Sequence, residues 1–154
     1  MNDNDFDFEI LFRTDYKNFY NSNKKYFLKN NFLNQYEMIL YKILEEKLDK
    51  KYVVFPQINL QSIIETNTKQ RNDELYRNLD FVIFYRDSLK PALAIELNGM
   101  LHKNNKYKQL RDESIKKILA SANLKLITIT SEELRSLNAI EVYNKILRKL
   151  KERQ

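Results

Sequence analysis

Two apolar runs fix most of what this chain can fold into. Residues 79–85 read Leu-Asp-Phe-Val-Ile-Phe-Tyr, and residues 92–97 read Ala-Leu-Ala-Ile-Glu-Leu. Runs this short and this continuous suit strands with both faces covered. Between them stands Arg86-Asp87-Ser88-Leu89-Lys90-Pro91, short enough for a hairpin. A third strand is expected at 51–58 (KYVVFPQI), where Pro56 marks an edge or a bulge. A fourth is expected at 124–130 (LKLITIT). Helical spacing covers 33–48, with Leu33, Leu40, Leu44 and Leu48 on one stripe, then 105–123 and 131–150. Asn123 takes the place where Gly often caps a helix. The order α-β-β-β-α-β-α leads from an antiparallel trio through a helix into a fourth strand. That order predicts an α/β fold, a mixed sheet of about four strands with helices on both faces.

The rest of the chain is polar. Residues 59–78 are expected to form a loop with one short helical turn. Residues 1–31 read as an N-terminal extension, in which Phe6, Phe8, Ile10 and Phe12 alternate with Asp5, Asp7, Glu9 and Leu11 in a strand-like period. Residues 32–154 then form a single domain, with no Pro- or Gly-rich linker inside it. The one Gly excludes Gly-rich phosphate loops, and the absence of Cys excludes disulfides, thiolate zinc sites and Cys nucleophiles. No apolar run approaches the ~18 residues of a membrane span, and the acidic N-terminus carries no signal-like apolar segment. A soluble, cytoplasmic protein without a membrane partner is expected. The net charge of +6, with Asp3, Asp5, Asp7 and Glu9 gathered at the start, leaves the remainder strongly basic. Such a field favours a polyanionic partner.

Polar residues that break apolar patterns mark the candidate site. Asp80 interrupts the start of one central strand and Glu96 the end of the next, so a hairpin brings them to one end of the sheet. Two neighbouring carboxylates suit a hard divalent cation. Glu37 falls inside the leucine stripe of the first helix, a costly position for a carboxylate unless it is paired, protonated or metal-bound. Gly99 and His102, each the only residue of its type, follow directly in Glu96-Leu97-Asn98-Gly99-Met100-Leu101-His102.

Leu79-Asp80-Phe81-Val82-Ile83, then Ala94-Ile95-Glu96-Leu97-Asn98-Gly99-Met100-Leu101-His102, then Arg111-Asp112, resembles the PD-(D/E)XK nuclease superfamily. More narrowly it is similar to the small relatives of the very-short-patch-repair (Vsr-like) endonucleases, over about residues 32–130. The resemblance implies a restriction-endonuclease-like αβββαβ core and a Mg²⁺- or Mn²⁺-dependent endonuclease that hydrolyses DNA phosphodiester bonds. It implies Asp80 and Glu96 as metal-binding carboxylates and Glu37 as the acid of the first helix. His102 would serve proton transfer or phosphate contact. The Lys of the superfamily motif is Asn98 here, and the narrower group has Asp there. An amide oxygen binds a hard cation more weakly than a carboxylate.

A transition state gaining negative charge calls for a cation. On the 105–123 helix, Tyr107, Ile115, Ile118 and Ala122 mark a stripe with Arg111 in its middle, while Lys116 points nearly opposite. Arg111 is therefore expected to reach inward, either to the substrate or as a structural partner of Asp80, Glu37 or Asp112. Lys103, Lys106, Lys108 and Lys117 are expected to hold a nucleic-acid backbone, and Gln57 to orient a water or a ligand. Gly99 lets the chain turn away after the strand. The alternative is a degenerate nuclease fold that binds nucleic acid or protein without cutting, with residues 3–12 as the docking segment for a protein.

Overall fold

The computed structural model describes residue 26 and residues 28–68, 73–98 and 106–152. The chain divides into two compact units, Met1–Asn34 and Gln35–Gln154. The alternating acidic-aromatic segment expected as a strand lies outside the described residues. In the second unit, helix α1 (Gln35–Lys47) precedes strands β1 (Tyr52–Asn59), β2 (Asn78–Tyr85) and β3 (Pro91–Asn98). Helix α2 (Lys106–Ser121), strand β4 (Leu126–Thr130) and helices α3 (Ser131–Ser136) and α4 (Ala139–Lys151) follow.

The four strands form one sheet in the order β1-β2-β3-β4. β1 and β2, and β2 and β3, pair antiparallel, while β4 lies parallel to β3. This is the mixed α/β sheet that the element order predicts. Pro56 sits on β1, an edge strand, where its missing N–H costs no ladder bond. The hairpin between β2 and β3 turns through Leu89 at φ 51°. Arg86 ties the hairpin to the neighbouring strand by donating from Nε to the Lys50 carbonyl and from its guanidinium to the Tyr52 carbonyl.

Phe81, Val82 and Ile83 are all fully buried, as are Leu93, Ala94 and Ile95. Successive strand residues point to opposite faces, so both faces of the central hairpin are covered. On one face Val82 and Ala94 pack with Ile115 and Leu119 of α2 and with Leu60 and Leu75 of two 3₁₀ turns. The other face is closed by α1 and α4, which contact one another, β1, β3 and β4. Each large apolar side chain buried this way contributes about 1.5–3 kcal/mol.

Three local expectations are corrected. The polar segment after β1 holds two 3₁₀ turns, Leu60–Ser62 and Asp73–Tyr76, not one. The last helix is broken at Leu137 and Asn138, each half opening with its own capping box. Thr130 and Glu133 form the first and Asn138 and Glu141 the second; the Asn138 side chain takes the Glu141 N–H and so starts a new helix. The third correction concerns the face α2 buries. Its centre is Ile115 and Leu119, 4% and 1% exposed, because Ala122 lies beyond the helix end at Ser121 and is exposed. With Ile118 still packed on the cluster and Leu119 added, the stripe turns by about 35° from the expected direction. Asn123 adopts φ 56°, the left-handed geometry expected of a helix cap.

Candidate metal centre

The register places one polar row across the end of the sheet remote from the β2–β3 turn. Phe81 pairs with Ile95 and Val82 with Ala94, so one step further Asp80 stands opposite Glu96. Glu96 pairs with Thr128 of β4. On the other side Pro56 pairs with Phe81 and Ile58 with Leu79, which sets Gln57 opposite Asp80. Gln57, Asp80, Glu96 and Thr128 thus come from four different strands.

The two carboxylates sit close and poorly solvated. Asp80 Oδ2 accepts the Leu97 N–H at 2.6 Å, which fixes the acid at the strand end. Glu96 Oε1 is buried and has no hydrogen-bond partner among the described residues. Burial, and after it the charge of Asp80, push the Glu96 carboxyl up from 4.5 to about 8. Asp112 adds to the rise, while Arg77 and the Asp80 backbone N–H oppose it. At neutral pH the fold therefore favours either a proton or a cation on Glu96.

Glu37 lies on the buried face of α1 with Leu40 and Leu44 and is 9% exposed, as its place in the leucine stripe predicts. Its Oε1 accepts from Gln57 Nε2 at 3.1 Å. Gln57 adopts φ 54°, a left-handed backbone unusual for a side chain of its size. That kink in an edge strand lets Gln57 meet an acid on a helix while its backbone stays beside Asp80. Among the described residues no three His, Asp or Glu side chains stand together as a metal-holding group. The Gln57 amide donates to Glu37, and its backbone stands opposite Asp80.

Among the described residues, one cation that acts on this pair is Arg77, which no sequence pattern marks. Arg77, just ahead of β2, places its guanidinium 3.8 Å from Asp112 of α2 and 3.9 Å from Glu74. Its position three residues before Asp80 was the available signal, but no periodicity connects it to Asp112. A small cavity of about 60 Å³ opens against Glu96, lined by Asn98, Asp112, Lys116, Thr128, Ile115 and Leu126. Lys116, expected to point away, is on that wall; the shifted stripe of α2 carries Asp112 and Lys116 to the Glu96 flank.

The other candidates divide. Asn98 ends β3, is exposed and lines the same cavity. Lys117 is exposed and lines a separate groove with Glu65, Thr66 and Ser121. Gly99, His102 and Lys103 lie outside the described residues. Lys106, Lys108 and Arg111 belong to α2, and their side chains lie outside the described part of the structure. Among the described residues no helix is long and apolar enough to cross a membrane.

Residues 29–149 match the family described as a protein of unknown function (DUF2726), and the chain belongs to that family. No curated protein and no solved structure matches the chain.

Proposed function

We propose that this member of the DUF2726 family is a metal-dependent endonuclease of PD-(D/E)XK type, acting on DNA inside the cell. The observation that carries the reading is the Asp80–Glu96 pair, two carboxylates face to face on neighbouring strands, one with a buried oxygen that has no hydrogen-bond partner among the described residues. Repulsion between them and the cost of burying charge both fall when a cation sits between them. Asp80 and Glu96 fit Mg²⁺ or Mn²⁺ as hard oxygen ligands. Bound there, the ion would supply polarisation of a phosphate oxygen and a more acidic water.

The remaining roles belong to the chain itself. The Leu97 N–H holds Asp80 at the strand end, and Gln57, held by Glu37, orients a water or a ligand beside it. Asn98 offers a neutral oxygen at the cavity rim. His102, on the segment after β3, transfers a proton or contacts phosphate. Lys103, Lys106, Lys108 and Lys117 hold the nucleic-acid backbone, in keeping with the net charge of +6. Hydrolysis adds water across one P–O ester bond, and the departing alkoxide takes up a proton.

Nicking of supercoiled plasmid in Mg²⁺ or Mn²⁺ tests the reading. Cleavage that Asp80→Ala and Glu96→Ala both abolish is the expected result. No cleavage, or cleavage that both variants retain, refutes it. Asn98 favours a second reading, because it stands where the superfamily has Lys and offers no charge. In that reading the fold has lost catalysis and binds nucleic acid, or binds a protein through residues 3–12. Saturable Mn²⁺ uptake separates the two, since a degenerate site takes up none.

A further inference from the structure

We infer that Lys116 of α2 is the residue that meets the substrate phosphate at this site, an inference that rests on the nuclease reading. Cleaving a phosphodiester builds negative charge on phosphorus-bound oxygens, and a positive group aimed at them lowers the barrier. β3 offers no such group: its last described residue is the neutral Asn98. The cavity against Glu96 has Asn98 on one wall and Lys116 on another.

Three other described cations near the sheet are held elsewhere. Arg77 lies between Asp112 and Glu74 at 3.8 and 3.9 Å, and its Nη1 is buried away from a solvent-borne strand. Lys145 donates to the Thr128 carbonyl and to Glu133. Lys125 donates to the Leu150 and Glu152 carbonyls at the end of α4. Lys116 differs from all three. Its side chain is 55% exposed, and its ion-pair partner is Glu113, 59% exposed, at 3.3 Å. A surface pair of that kind has little net strength, so the ammonium is released to a phosphate at small cost. The phase of α2 makes the reach possible. With Ile115 and Leu119 facing the sheet, Lys116 rides on the flank that overlooks Glu96 and Thr128.

The test uses the full chain with Lys116→Met, Lys116→Arg and, as a control for net charge, Lys90→Met in the remote hairpin turn. Two readouts are taken: plasmid nicking in Mn²⁺ beside Mn²⁺ affinity, and the salt dependence of binding to a short DNA duplex in EDTA. Lys116→Met is expected to slow cleavage by about 10²-fold while Mn²⁺ affinity stays within about twofold. Lys116→Arg is expected to retain most of the activity, and Lys90→Met all of it. In EDTA, Lys116→Met is expected to reduce the slope of log K against log salt by about one counterion, and Lys90→Met to leave it unchanged. Wild-type cleavage speed in Lys116→Met overturns the inference; so does an unchanged salt slope, or absence of DNA binding by the wild type. A wild type that takes up no Mn²⁺ sinks the nuclease reading instead, and the binding slope then still decides the role of Lys116.

Discussion

Glu96→Gln is expected to make the metal-free protein more stable above neutral pH, although it removes a residue of the proposed centre. In the fold the Glu96 carboxyl titrates near 8 instead of 4.5, through burial first and the Asp80 charge second. Each tenfold change in proton affinity is worth about 1.4 kcal/mol, so ionising Glu96 costs the native state about 4–5 kcal/mol more than the unfolded chain. Between pH 4.5 and 8 the unfolded chain has released this proton while the fold still holds it. Stability from this group therefore falls as pH rises through that window. Asp80, Asp112 and Arg77 face the same carboxyl and move the value but not the sign. Urea denaturation in EDTA, followed by circular dichroism from pH 5 to pH 8, measures the difference. Wild type should lose about 3–4 kcal/mol relative to Glu96→Gln across that range, roughly 10 °C in Tm for a chain of this size. Adding Mn²⁺ at pH 8 should restore wild type and leave the variant unchanged. Parallel pH profiles for the two proteins would refute the reasoning, because Glu96 would then be neither buried nor coupled to Asp80 as the fold requires.

Further outcomes follow from packing and hydrogen bonding. Leu119→Ala, in the cluster between α2 and the sheet, should cost about 3–4 kcal/mol in urea denaturation, since the methyl groups leave a void against Val82 and Ala94. Gln57→Ala removes a donor from the buried Glu37 and keeps the left-handed backbone, at a cost of about 1–2 kcal/mol. Gln57→Gly loses the same bond but relieves the backbone, so it should be the more stable of the two by about 1 kcal/mol. Burial alone would raise the Glu133 carboxyl, but Lys145 and Thr130 outweigh it and hold the group below the usual range. Glu133→Ala should therefore cost about 1–2 kcal/mol at pH 7 through the lost capping box, and the gap from wild type should close as pH falls below the Glu range.

The strands were legible because continuous apolar runs admit few other uses, and the hairpin followed from the brevity of the link at 86–91. Glu37 was legible as a carboxylate out of place on a leucine stripe. The partner that accounts for it was not. Gln57 reaches Glu37 through a positive φ that no sequence pattern marks at a residue of its kind. Arg77 and Asp112 meet only because α2 packs back over the start of β2, a tertiary event with no local signature. The phase of α2 differs from its spacing for a more ordinary reason: Ala122 lies beyond the helix end and is exposed. The break at Asn138 was readable in principle: Asn138-x-x-Glu141 is a helix start, and it was hidden inside an otherwise helical period.

The nuclease reading depends on whether Asp80 and Glu96 bind a divalent cation together. Titrating the full protein with Mn²⁺ at pH 8, and following water-proton relaxation, asks that alone and needs no substrate. Wild type should show one saturable site, and Asp80→Asn and Glu96→Gln should each weaken it by about 10²-fold or more, since each removes one of two charged ligands. A wild type without saturable uptake, or variants that bind as tightly as wild type, would contradict the assignment of this row of residues as a metal centre.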